Sequence, residues 1–171
     1  MLNGIEELNE FFENFFFELG FEDIECFLAP DFAYYVGTNE ISYSLIENSI
    51  SDAAFSEYLK IKYPNAPTIS MFVFSLLHEL GHYLTLPSVS KKKFRKWKKR
   101  KKMLEKTVVN NDTDLFNLQL AYCNLPDEKI ATEKAVELLI ENYEYLKQFE
   151  TRAIKIIHNF YKKNLDIESL L

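Results

Sequence analysis

The chain has 171 residues, 47% of them apolar and 15% aromatic, with a formal net charge of −6. That length and apolar content suit one folded domain with a sizeable core and exclude a disordered chain. Two cysteines without CxxC spacing, Cys26 and Cys123, exclude a disulfide framework, and no apolar run reaches the roughly 18 residues that a membrane span needs. The acidic start, Met1 to Glu7, is unlike a signal peptide, so a reducing, cytoplasmic setting is expected.

Residues 3–19 place Ile5, Leu8, Phe12, Phe15, Phe16 and Leu19 at helical spacing ahead of Gly20, which predicts an amphipathic helix whose phenylalanines form a core face. Between residues 24 and 46 the period becomes two. Ile41, Tyr43 and Leu45 alternate there with Ser42 and Ser44, and residues 32–36 form a partner run across Gly37-Thr38-Asn39-Glu40. A small antiparallel sheet is expected. Residues 51–63 read as a helix begun by Ser51 or Asp52, and Pro64-Asn65-Ala66-Pro67 is a turn that delivers Thr68 as the N-cap of the next helix.

That helix, residues 69–84, organises the chain. Its run Met71-Phe72-Val73-Phe74 and Leu76-Leu77 is apolar nearly all round, which marks burial on every side. It carries His78-Glu79-Leu80-Gly81-His82. On a helix His78 and His82 sit one turn apart on one face and can clamp a zinc ion. Glu79, rotated by about 100° from His78, is placed to act as a general base on a water at that ion.

Beyond Pro87 the composition shifts. The stretch from Lys91 to Lys106 holds eleven of the twenty Lys and Arg residues and one acid, Glu105, a local charge of +10 that leaves −16 for the rest of the chain. Phe94, Trp97, Arg100-Lys101 and Leu104 recur every three to four residues, the pattern of a basic helix with a thin apolar seam. Asp112 and Asp114 cap a run over 115–123, Pro126 opens a helix continuing to about Lys147, and a last helix covers 150–163. A catalytic zinc needs a third protein ligand. The HExxHxxGxxH pattern is excluded because Thr85 and Ser88 occupy its glycine and histidine positions. Among Glu128, Glu133 and Glu137, only Glu128 shares a helix face with Ala131, Ala135, Leu139 and Leu146. It is the expected third ligand, and the alanines beside it permit close helix packing.

His78-Glu79-Leu80-Gly81-His82, followed by Leu125-Pro126-Asp127-Glu128-Lys129-Ile130-Ala131 and Ala135-Val136-Glu137-Leu138-Leu139, resembles the ImmA/IrrE family of zinc metallopeptidases within the gluzincins. The resemblance runs from near Phe32 to Leu139, and the HELGH core is its specific part. It implies a single α+β zincin-like domain over residues 1–171, mostly helical, with the small antiparallel sheet preceding the active-site helix. It implies zinc held by His78, His82 and Glu128, Glu79 as base, a bacterial or phage cytoplasmic setting, and a regulatory protein such as a repressor as substrate. Thr132 and Lys134 stand where the family usually has Asn or Asp and an aromatic residue. The family's ligand gap is shorter, so about 88–108 reads as a basic insertion. The oxyanion donor is left open among His158, Tyr83, Tyr143 and Tyr145. A rival function is a catalytically weak binding protein that engages nucleic acid or an acidic partner through Lys91 to Lys106, with Trp97 and Phe94 stacking on unpaired bases.

Overall fold

In the computed structural model, which describes residues 4–46 and 49–164, the first apolar stripe forms helix α1, Ile5–Glu18. Gly20 ends it at φ 91°, a left-handed conformation that side chains with a Cβ avoid. The expected start at Asn3 lies outside the described residues. Leu8, Phe12, Phe15 and Phe16 are buried, so the stripe is a core face.

Strands β1 (Glu25–Leu28), β2 (Ala33–Tyr34) and β3 (Glu40–Tyr43) form a sheet in the order β1-β3-β2. The β2–β3 hairpin is antiparallel as expected, with Tyr34 opposite Ile41. β1 instead joins β3 in parallel, Glu25 opposite Glu40 and Leu28 opposite Tyr43, so the sheet is mixed. The chain reverses before and after β2, which leaves the first and third strands pointing the same way. Ser42 and Ser44, which alternate with the apolar residues, are buried as well. Their hydroxyls donate to the carbonyls of Asp31 at 2.9 Å and Pro30 at 2.7 Å, satisfying the loop that joins β1 to β2.

Among the described residues, 4–46 and 142–164 form one compact unit and 49–141 the other. In the first, helix α7 (Tyr143–Asn164) brings Phe149 to 4.1 Å from the Phe15 ring and 5.2 Å from Phe11, and the Tyr43 phenol donates to Asn9 Oδ1 at 2.6 Å. The second contains helices α2 (Ser49–Lys62), α3 (Met71–Thr85), α4 (Lys91–Leu104), α5 (Asp112–Cys123) and α6 (Pro126–Glu141). α2 begins two residues before the expected Ser51. α3 is capped by Ser70, whose hydroxyl accepts from the Val73 amide at 3.4 Å, and not by Thr68. Asn111 caps α5 in the same way at 2.9 Å, with Asp112 and Asp114 in the first turn where the helix dipole favours acids. α6 ends at Glu141, short of the expected Lys147, and α7 absorbs the segment expected as a separate helix. Apolar spacing runs on through this junction, while Asn142 lies outside both helices and its backbone carbonyl accepts from the Leu146 amide at 3.0 Å to begin α7.

The protein is thus mostly helical, with a small mixed sheet ahead of the motif helix. No described helix is long and apolar enough to cross a membrane. Both cysteines are free and buried. Burial, and then the nearby Glu13 carboxylate, push the Cys26 thiol far up; burial, and then Glu128, push Cys123 up to about 12. Neither carries appreciable thiolate near neutrality, and the thiolate is the nucleophile. Both thiols are expected to resist iodoacetamide at pH 8 in the folded protein and to alkylate on unfolding, as followed by mass spectrometry. Prompt alkylation of the native protein would contradict this packing.

Candidate metal centre

The centre is built where α3 crosses α6. Every residue of α3 from Leu76 to His82 is buried, so the helix is enclosed around its circumference for nearly two turns. Gly81 makes the enclosure possible: a Cβ there would lie 2.3 Å from the Ala131 carbonyl oxygen and 3.0 Å from its Cα. The two helices therefore touch backbone to backbone. Thr85 fastens the end of α3 by donating to the Gly81 carbonyl at 2.7 Å, and a 3-10 turn, Leu86–Ser88, follows.

This contact brings Glu128, in the first turn of α6, onto both histidines. Its Oε2 lies 3.0 Å from His78 Nε2 and 3.3 Å from His82 Nε2, and all three side chains are buried. Ligands held at 2.0–2.1 Å around a tetrahedral zinc stand about 3.3 Å apart, so the Glu128 oxygen already has the separation of a ligand neighbour from each histidine nitrogen. Glu79 is also buried and brings a carboxylate oxygen within 4.8 Å of the histidine nitrogens. Of the two acids, Glu128 is the one with a single oxygen close to both Nε2 atoms, the spacing that a third ligand would have. Glu79 is left beside the cluster. Glu133 and Glu137 are exposed on the opposite side of α6.

Proton counting shows what the donor set requires. The single hydroxyl proton of Thr132 goes to the Glu128 carbonyl at 2.7 Å. Thr132 Oγ1, 3.3 Å from His78 Nδ1, must then accept from that nitrogen. Nε2 of His78 thus faces Glu128 Oε2 at 3.0 Å, where a proton or a metal cation has to lie between the two atoms. Burial alone would raise the Glu128 carboxyl, but hydrogen bonds with His78 and His82 outweigh it and hold the group well below the usual carboxylate range. Burial alone would likewise lower His82; its hydrogen bond with Glu128 and the Glu79, Glu128 and Asp127 carboxylates outweigh that and raise it. His82 Nδ1 and Asp127 Oδ1 are buried without a partner. An enclosed set of three carboxylates and two imidazoles fits a bound cation.

No family model, curated protein or solved structure matches the chain. The site therefore has to be read from its own atoms. Phe55 of α2 meets the His78 ring edge to face at 5.2 Å, an apolar wall on one side. On another stands Tyr122 of α5; burial first, and then the Glu128, Glu79 and Asp127 carboxylates, push its ionisation far up, so the phenol stays protonated. Lys101 of α4 places Nζ 3.8 Å from Glu128 Oε1 and 4.8 Å from the centre of the Tyr122 ring. Glu128 is thus divided, one oxygen to the histidines and the other toward Lys101. Tyr122 lies outside the four oxyanion candidates of the sequence. Of those, Tyr83 belongs to the same compact unit as the centre, and Tyr143, Tyr145 and His158 belong to the other.

Replacing Gly81 by Ala is expected to cost about 1–3 kcal/mol of stability, the usual range for overpacking, and to weaken metal retention with it, because the crossing that delivers Glu128 must open. Chemical denaturation with and without added zinc measures both effects; an unchanged midpoint would contradict the contact. Glu128→Ala is expected to lower zinc affinity by at least about tenfold, on the scale of losing a ligand or its partner, whereas Glu133→Ala leaves it unchanged in a competition titration.

Proposed function

We propose that the chain is a zinc-dependent metallopeptidase of the ImmA/IrrE-like, gluzincin type, hydrolysing peptide bonds in a regulatory protein such as a repressor in a bacterial or phage cytoplasmic setting. The observation that carries this reading is the convergence of His78 Nε2, His82 Nε2 and Glu128 Oε2 at 3.0 and 3.3 Å, with a second buried carboxylate, Glu79, beside them. A purely structural metal site has no use for that extra buried acid, whereas a hydrolase needs a base next to its water.

The residues divide the work as follows. His78, His82 and Glu128 would hold the ion, and Thr132 keeps His78 in the tautomer whose Nε2 is free to bind it. When bound, such an ion acidifies water and polarises a carbonyl. Glu79 takes the proton of the attacking water and returns it to the departing amine. The Tyr122 phenol, held protonated, donates to the carbonyl oxygen as negative charge develops there. Phe55 excludes water from one flank. A protein or peptide is the substrate class, and the basic helix adds an anionic partner, considered below.

Two substitutions test the assignment. Glu79→Gln is expected to keep zinc stoichiometry and fold while lowering turnover of a casein or peptide-library substrate by at least about 100-fold. Tyr122→Phe is expected to lower kcat by about 10–100-fold, somewhat less than loss of a backbone-quality oxyanion donor, at unchanged zinc content. Full turnover in the Glu79→Gln protein would remove the peptidase reading.

A further inference from the structure

Helix α4, Lys91–Leu104, carries ten Lys and Arg residues, nine of them exposed; Lys101 is the exception. Among the described residues, Lys101 is also the sole member of α4 in an ion pair. At about 100° per residue the nine exposed cations sweep roughly 220° of the helix circumference. Phe94, Trp97, Lys101 and Leu104, all half-buried, occupy an arc of about 80° on the other side. That seam is the anchored side, because Lys101 on it reaches Tyr122 of α5 and Glu128 of α6. Ser90 pins the start of the helix by accepting from the Lys93 amide at 3.4 Å.

From this distribution we infer that α4 is a binding element for duplex nucleic acid, recognising phosphates without regard to sequence. A flat anionic surface meets only one side of a helix and would leave most of a 220° cationic arc unused. A groove with phosphates along both walls meets all of it, and the major groove, about 12 Å wide, admits an α-helix of this kind. Fourteen residues extend about 21 Å, enough to run past several phosphates on each strand. An anionic membrane fits less well, since a helix lying in a membrane interface needs a free apolar face and the apolar seam of α4 is turned inward. The same half-burial takes Phe94 and Trp97 off the solvent side, so stacking on unpaired bases, expected from sequence, gives way to duplex binding. The −16 charge on the rest of the chain confines contact to α4 and keeps the interaction salt-sensitive.

The inference is independent of the metal centre. Full-length protein is titrated against a fluorescent 20-base-pair duplex of arbitrary sequence, the matching single strand, phosphatidylserine vesicles and polyglutamate, from low to physiological salt. Duplex binding is expected to be strongest, equal for unrelated sequences, and to fall with a log–log salt slope near −4.5, the value for about five phosphates. A variant with Lys92, Arg95, Lys96, Lys99 and Lys102 changed to Gln, leaving Phe94, Trp97, Lys101 and Leu104 intact, is expected to lose at least tenfold in duplex affinity while its circular dichroism, thermal midpoint and zinc content stay the same. The Glu79→Gln protein is expected to bind duplex like the wild type. Tighter binding to the single strand, vesicles or polyglutamate than to duplex overturns the inference. So does a shallow salt slope in the wild type, or unchanged duplex affinity in the folded variant.

Discussion

The backbone contact between Gly81 and Ala131 is the constraint on which the rest of the centre depends. With a side chain at residue 81 the two helices could not meet at this distance, and a carboxylate as short as that of Glu128 could not span to both histidines. Once Ala131 is fixed against α3, the helical repeat places Glu128, Thr132 and Ala135 within about 100° of the same face of α6. Glu128 then lands on the two Nε2 atoms and Thr132 on His78 Nδ1. A single crossing sets both the carboxylate that meets the two histidines and the hydroxyl beside the first of them.

Charge at the crossing is the second consequence. Glu79, Asp127 and Glu128 are buried within reach of one another, a costly grouping in a dry interior without compensating positive charge. Lys101, leaning in from α4, offsets part of it from the outer side, and the inner side is left to the histidines and whatever cation they hold. α4 therefore has two separable sides: one cation committed to the centre and nine facing solvent.

Much of this was legible in the sequence. The buried motif helix, the inward phase of Glu128, the exposed phase of Glu133 and Glu137, and the seam of α4 all follow from a 3.6-residue period, and the structure has each of them. Thr132 was visible only as a departure from a family pattern, which pointed to a weaker histidine partner or one supplied elsewhere; the structure has Thr132 Oγ1 3.3 Å from His78 Nδ1. Tyr122 gave no signal, because nothing local in α5 distinguishes a tyrosine near the centre's carboxylates from one on any core face. The sheet was half legible. Period-two alternation marks strands but not which edge a third strand joins, and it cannot show that Ser42 and Ser44 are buried because a loop supplies their acceptors. The break at Asn142 was hidden by apolar spacing that continues across it.

The proposed role of the centre is tested most directly by its metal content. X-ray absorption at the zinc edge, on protein purified without chelators, should find one zinc per chain with four nitrogen or oxygen neighbours at about 2.0 Å, two of them imidazole and one exchangeable water. A protein that stays metal-free and takes up no zinc on addition would contradict the convergence of His78, His82 and Glu128 on a cation, as would a fully protein-ligated ion with no open position.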